Sequence, residues 1–266
     1  MLNFNQQVVW ITGASSGIGE ALAQAFAQAG ASLILSARRI EELERVKNSL
    51  PLSPAQVLVL PIDLEKPETF PELVQQVMDA FNRIDILVHN GGISQRGLVK
   101  ASPLALDQKI MAVNYFGAVA LTKAVLPIML AQKSGRVVVI SSLVGKFGTP
   151  MRSAYAASKH ALHGFFDSLR SEVWRDNIRV TIVCPGYIRT NISINALTEK
   201  GDKHNRMDKN QEKGMAPERC ATLILKAVAA NKEEVVIGGK EILAVYLKRF
   251  FPGLLSWALK RFMKPA

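Results

Sequence analysis

Cysteine is nearly absent: Cys184 and Cys220 are the only two in 266 residues. Neither sits in a CxxC or CxxH pair. That excludes a zinc-ribbon or disulfide-stapled scaffold and leaves both to pack as small apolar residues in a reducing compartment. Histidine is scarce too, and His89, His160, His163 and His204 form no ligand spacing that suits a metal. No uninterrupted apolar run reaches the eighteen or so residues of a spanning helix. The stretch from Met1 to Val9 lacks the basic flank and apolar segment of a signal peptide, so a cytoplasmic protein is expected. Acid is in deficit, with 22 Asp and Glu against 33 Lys and Arg, a net charge of +11. Such a charge suits an anionic ligand, a nucleic acid or a membrane surface. A nucleic-acid platform interleaves arginine with aromatics on one face. Here the basic residues are spread along the chain, and no nucleic-acid partner is expected.

What is present is core material. Hydrophobic residues make up 48% of the chain and charged residues 21%, enough for a sizeable interior. No repeat or low-complexity segment interrupts it. Seven short runs rich in Val, Ile and Leu alternate with amphipathic stretches: Val8 to Ile11, Leu33 to Leu35, Val57 to Ile62, Ile86 to Val88, Val137 to Ile140, Val180 to Val183 and Glu234 to Ile237. Unbroken apolar strands are those covered on both faces. The intervening periodicity of Ala21 to Ala29 and Leu106 to Leu121 is helical. Strand, helix, parallel strand, repeated with right-handed crossovers, predicts a single-domain α/β fold of the Rossmann type, a doubly wound parallel sheet over residues 1–240.

Directly after the first strand comes Gly13-Ala14-Ser15-Ser16-Gly17-Ile18-Gly19, and a helix follows. In that context glycines let backbone N–H groups approach a pyrophosphate, which the helix N-terminus also favours. An NAD-preferring site carries an acid about twenty positions on, for the adenine ribose. That window here reads Ser36-Ala37-Arg38-Arg39. Guanidiniums favour a 2′-phosphate, so NADP(H) is the expected cofactor, with Arg38 and Ser15 as phosphate contacts. Arg39 either stacks on adenine or is solvated.

Tyr155 and Lys159 stand four apart, on one face of a predicted helix. A phenol of pKa near 10 is a poor proton shuttle, and a nearby ammonium favours its ionised form. Ser142, at the end of the fifth strand, can offer its hydroxyl to a substrate oxygen as charge develops.

Together, TGASSGIG, Asp63-Leu64, HNGG, Asn114, Ser142, YAASK and PGYIRT resemble the short-chain dehydrogenase/reductase family over about residues 5–240. The resemblance implies a catalytic set of Ser142, Tyr155 and Lys159, with Asn114 supporting a water chain to the lysine. It implies that Lys159 also holds the nicotinamide ribose, that Asp63 and Leu64 contact adenine, and that Asn90 and Gly91 form the wall under the cofactor. Pro185, Gly186, Ile188 and Thr190 belong to the segment that the resemblance assigns to the carboxamide. The family's usual Asn-Ala-Gly stands here as Asn90-Gly91-Gly92, and the glycine-bracketed ending of 3-oxoacyl carrier-protein reductases is missing. The implied reaction interconverts a carbonyl and a secondary alcohol without a metal; a non-catalytic NADP(H)-binding sensor is the alternative. Dimers or tetramers are also implied.

Two segments depart from the rhythm. Residues 189–215 are polar, lack a strand pattern and suit a mobile flap over the site. The tail 241–266 is strongly apolar and carries Lys248, Arg249, Lys260, Arg261 and Lys264 against Glu241. Two helical runs divided by Pro252-Gly253 fit a segment lying on a membrane surface or against a neighbouring subunit. The tail resembles those of membrane-associated steroid and lipid reductases, which favours a bulky hydrophobic small-molecule substrate.

Overall fold

A computed structural model describes residues 2–263. The seven apolar runs form one parallel sheet. Its strands are β1 (Val8–Thr12), β2 (Ser32–Ser36), β3 (Val57–Val59), β4 (Ile86–His89), β6 (Gly135–Ile140), β7 (Ile178–Pro185) and β9 (Glu234–Ile237), in the order β3-β2-β1-β4-β6-β7-β9. Order reverses between β1 and β4, which pair in register Val9 to Ile86. In a doubly wound sheet such a reversal opens a crevice at the carboxyl ends of the strands. The residues after β1, β2, β4, β6 and β7 therefore share one edge, and they include the glycine loop, Arg38, Asn90, Ser142 and Gly186.

Both faces are covered, as the unbroken strands require. Helices α1 (Gly17–Gln28) and α2 (Ile40–Ser49) lie on one face with α8 (Pro217–Ala229), where Leu22, Phe26 and Ile224 are buried. On the other, α3 (Phe70–Phe81), α5 (Gly117–Gln132) and α6 (Ser153–Val173) bury Val77, Leu121 and Phe166. Helix α4 (Leu104–Met111) runs into α5 through a π turn, Ala112–Phe116. The resulting helical stretch Leu104–Gln132 spans 29 residues and is apolar enough by composition to cross a membrane, which the sequence reading did not anticipate. It is folded as a crossover instead, with Leu121, Val125 and Met129 in the core.

Three expectations need correction. The third strand ends at Val59; Leu60 and Ile62 continue only as single bonds, Leu60 N to Leu35 O and Ile62 N to Ala37 O. The sixth strand is longer than Val180 to Val183 and runs from Ile178 to Pro185, its last residue. The polar flap is built, not merely a loop: β8 (Leu197–Thr198) pairs with β5 (Gln95–Arg96), and a short helix α7 (Lys209–Glu212) follows. Polar side chains organise it. Gln211 is buried and donates to Ile188 O at 2.7 Å, and Ser193 receives the backbone N–H of Asp208.

The tail forms α9 (Leu243–Phe250) and α10 (Pro252–Phe262). Its inner side belongs to the chain's own core, with Leu255 buried and Ala244, Val245, Leu247 and Leu259 packed against it. Tyr246, Phe250, Phe251, Leu254, Trp257 and Phe262 are more than half exposed on the outside. Lys264 lies outside the described residues.

Candidate active site

The glycine loop is sterically committed. Gly13 has φ +66°, and a Cβ there would stand 2.8 Å from Gly91 Cα; at Gly19 it would stand 2.1 Å from Gly13 O. Asn90 fastens the loop from across the switch point, its amide donating to Thr12 O and Gly13 O at 3.1 and 3.0 Å. Thr12 Oγ1 receives the N–H groups of Asn90 and Gly91. Ser16 occupies the N-cap position of α1 without a side-chain capping bond, and Ser15 is buried. Arg38 and Arg39 are exposed just beyond β2 and join no ion pair among the described residues. Arg45 was not foreseen: it pairs with Glu20 and Glu42 and reaches Ser15 O at 3.3 Å. Its spacing from the loop is legible only once α2 is folded against α1. Leu64 comes to the same place from the other side, where its Cδ1 would lie 2.8 Å from a Cβ on Gly91. Asp63 caps its own turn by accepting Glu65 N–H.

Ser142, Tyr155 and Lys159 converge on one cavity of about 260 Å³, lined also by Ile18, Asn90, Pro185, Gly186, Ile188 and Thr190. Lys159 Nζ donates to Ile140 O at 2.7 Å, and its nitrogen is 5.8 Å from the Tyr155 ring centre. Burial pushes this ammonium down to about 8. Ser141 is the structural member of the serine pair, bonding Lys159 O and His163 Nε2, while Ser142 caps a short turn and faces the cavity. Asn114 sits in the π turn, a distortion frequent at functional sites. Its amide grips Ile93 N–H and C=O at 2.8 and 2.9 Å and donates to Ser158 Oγ at 3.0 Å. It braces the strand-end loop against α6, with no direct bond to Lys159 among the described contacts.

The electrostatics of Tyr155 differ from the expectation. Burial raises its phenol above the ordinary value; the opposing influences are Arg152, the Ser142 hydroxyl and Arg96. Two guanidiniums therefore add positive field at this phenol, beside the Lys159 ammonium over its ring. Both arginines line the cavity and neither was singled out in the sequence. Arg152 precedes Tyr155 by less than one helical turn, which was a readable signal. Arg96 lies far off in sequence and is delivered by the β5–β8 pair.

Two histidines, His89 and His163, are buried accessories; His160 is exposed and His204 half-buried. His89 Nε2 lies 2.7 Å from Thr122 Oγ1, whose own hydrogen goes to Ala118 O; Nε2 is thus the donor and Nδ1 is left without a partner. His163, Cys184 and Glu234 come within 4.8 Å of one another. Residues so distant in sequence give no spacing signal. Lys146 spans this group, bonding His163 Nδ1 at 3.2 Å and pairing with Glu234. Burial lowers His89 to about 3 and His163 to about 4, and pushes both Cys184 and Cys220 up to about 12.

Below the ordinary histidine value near 6.5, an unfolded chain takes up protons that folded His89 and His163 refuse until about 3 and 4. Stability therefore falls as pH drops through that window, by up to about 1.4 kcal/mol per pH unit for each histidine. Urea unfolding at pH 7, 6 and 5 should give a slope that flattens by about one proton in His163→Gln; an unchanged slope contradicts the assignment.

Residues 7–201 match the family model described as short chain dehydrogenase. A Drosophila melanogaster protein, "Dehydrogenase/reductase SDR family protein 7-like", is 47% identical over 260 residues, covering 96% of this chain and 80% of its own length. The mouse "Dehydrogenase/reductase SDR family member 7B" is 42% identical, covering 93% and 78%. Among solved structures, levodione reductase superposes with a TM-score of 0.81 at 28% identity, covering 90% of this chain and 98% of the other. A Burkholderia phymatum short-chain dehydrogenase/reductase in complex with NAD gives 0.84 at 24% identity, covering 96% of each chain; that likeness concerns the fold alone. The chain belongs to the short-chain dehydrogenase/reductase family and is an oxidoreductase with a nicotinamide nucleotide cofactor.

Proposed function

We propose that the protein is an NADP(H)-dependent reductase of a hydrophobic ketone or aldehyde, with Tyr155 as proton donor. The observation that carries this reading is the convergence of Ser142, Tyr155 and Lys159 on one largely apolar cavity at the strand ends. The residues present fit the cofactor: a loop with positive φ at Gly13 and Gly17, no Cβ at Gly19, buried Ser15 and the N-terminus of α1. Ser15, Ser16, Ile18 and the glycines would hold its pyrophosphate, Asp63 and Leu64 its adenine, Asn90 and Gly91 its central part, Pro185 to Thr190 its carboxamide and Lys159 its ribose. When bound, the dihydronicotinamide supplies the hydride.

The chain's own groups do the rest. Burial keeps the Tyr155 phenol protonated at neutral pH, so it is the acid that gives a proton to the substrate oxygen. The Ser142 hydroxyl bonds that oxygen as charge develops, and the Lys159 ammonium, fixed on Ile140 O, stabilises the phenolate left behind. Exposed Arg38 and Arg39, with no acid between Ser36 and Arg39, support NADPH over NADH. In an assay of NADPH consumption over aldehydes, diketones, quinones and steroids, Tyr155→Phe should lower kcat by about 10²–10⁴. Arg38→Ala should weaken NADPH binding about 10–100-fold and leave NADH nearly unchanged. Equal use of both cofactors by the wild type, or full activity in Tyr155→Phe, contradicts the reading.

The outer face of the tail supports a membrane-surface contact. Its exposed Phe250, Phe251, Trp257 and Phe262 are flanked by Lys248, Arg249, Lys260 and Arg261, a pattern suited to an anionic interface. The inner face walls the substrate cavity through Ala244 and Leu259, so a membrane-dissolved substrate would enter beside it. The expected homo-oligomer would use the apolar surface of α5, where Leu130 is exposed, and Phe116 before it. In flotation with anionic phosphatidylserine vesicles, the full chain should rise with the lipid and Phe250→Glu/Trp257→Glu should remain below; equal flotation contradicts the contact.

A further inference from the structure

The cavity wall holds a cationic pair, Arg96 and Arg152, that the reduction itself does not require. Arg96 is 7% exposed, at the end of β5. Its Nη1 donates to Ser94 Oγ and Gln95 O, its Nη2 to Asp208 Oδ2, and its Nε, sealed from solvent, has no acceptor. Arg152, at the start of α6, donates through Nη2 to the same carboxylate oxygen at 3.0 Å. Two guanidiniums thus share one oxygen of one acid, and the acid belongs to the flap.

Burying a guanidinium without matched acceptors is costly, and here a single carboxylate oxygen serves two guanidiniums, so a group with more acceptors would satisfy the pair better. The cofactor's phosphates are assigned to the glycine loop and the N-terminus of α1, not to this pair. Glu241, the acid that lines the cavity at the tail, is already engaged by the N–H groups of Tyr187 and Gly239. The same cavity also carries an apolar wall, with Leu143, Val144, Phe147, Ile192, Ala244 and Leu259.

We infer that Arg96 and Arg152 receive an anionic oxygen group, phosphate or carboxylate, carried by an amphiphilic carbonyl substrate whose apolar body fills the cavity. This rests on the assignment of the Tyr155 cavity to the substrate. Asp208 stands in for the anion when the site is free, making the same contact to both guanidiniums through one oxygen. An incoming phosphate offers more acceptors than that single shared oxygen and suits the planar fork of arginine. Because Asp208 is carried by the segment before α7, exchange of one anion for the other couples substrate binding to the flap.

The test uses the full chain saturated with NADPH, and calorimetry with decyl phosphate, decanoate and decanol. None of the three has a carbonyl to reduce, so binding is read apart from turnover. Decyl phosphate and decanoate should each bind at least about 10-fold more tightly than decanol, as charge-assisted hydrogen bonds do. If only one does, it identifies the anion and the inference stands. Arg152→Gln should cut that preference about 10-fold, and Asp208→Asn, which removes the competing charge, should increase it. Arg96→Gln is the second probe, with circular dichroism to verify its fold. Equal binding of decanol, or a preference that survives unchanged in Arg152→Gln, as anion capture by the basic tail would give, overturns the inference. Loss of the reductase reading would appear differently, as absence of NADPH oxidation with every carbonyl.

Discussion

A buried ammonium ties the helix that carries the chemistry to the sheet that carries the loops. Lys159 donates to Ile140 O, the last carbonyl of β6, and among the described residues no carboxylate pairs with it; burial brings its pKa down to about 8. A charged group in such a place is held by geometry alone, since desolvation opposes it. That geometry depends on α6 lying flat against the sheet, through Leu162, Phe166 and Leu169. Tyr155, one turn earlier, then takes its position in the cavity wall. Ser141 reinforces the arrangement by bonding Lys159 O from the same strand end.

The second dependence is on parallelism. Because every strand of the main sheet points one way, residues from widely separated parts of the chain, Gly13, Asn90, Ser142 and Gly186, meet at one edge. The switch between β1 and β4 leaves room there, and Asn90 closes the loop that holds it in shape. The tail completes the enclosure, packing Leu255 into the core while Ala244 and Leu259 face the cavity.

Much of this was legible in the sequence because it is local. The seven apolar runs, the glycine loop opening a helix and the four-residue interval from Tyr155 to Lys159 each express a rule that spans only a few residues. What escaped was long-range or polar. The β5–β8 pair joins two-residue strands whose stability comes from Gln95, Ser193 and Gln211, not from hydrophobic alternation. Arg96 and Arg152 meet only through Asp208, which lies 112 and 56 residues away. The cluster of His163, Cys184 and Glu234 has the same origin, assembled by α6, β7 and β9. At Tyr155 the spacing pointed to Lys159 alone, because it reveals a neighbour on the same helix face and not the guanidinium that a distant strand brings in.

The central claim is that a desolvated phenol, moderated by guanidiniums, serves as the acid of this site. The most direct measurement is a pH titration of Tyr155 in protein carrying ζ-carbon-labelled tyrosine, with Tyr155→Phe to assign its signal. In the cofactor-free wild type the signal should titrate above the ordinary tyrosine value near 10, and in Arg152→Gln it should move higher still. Titration below that value, or one indifferent to Arg152, would contradict the account.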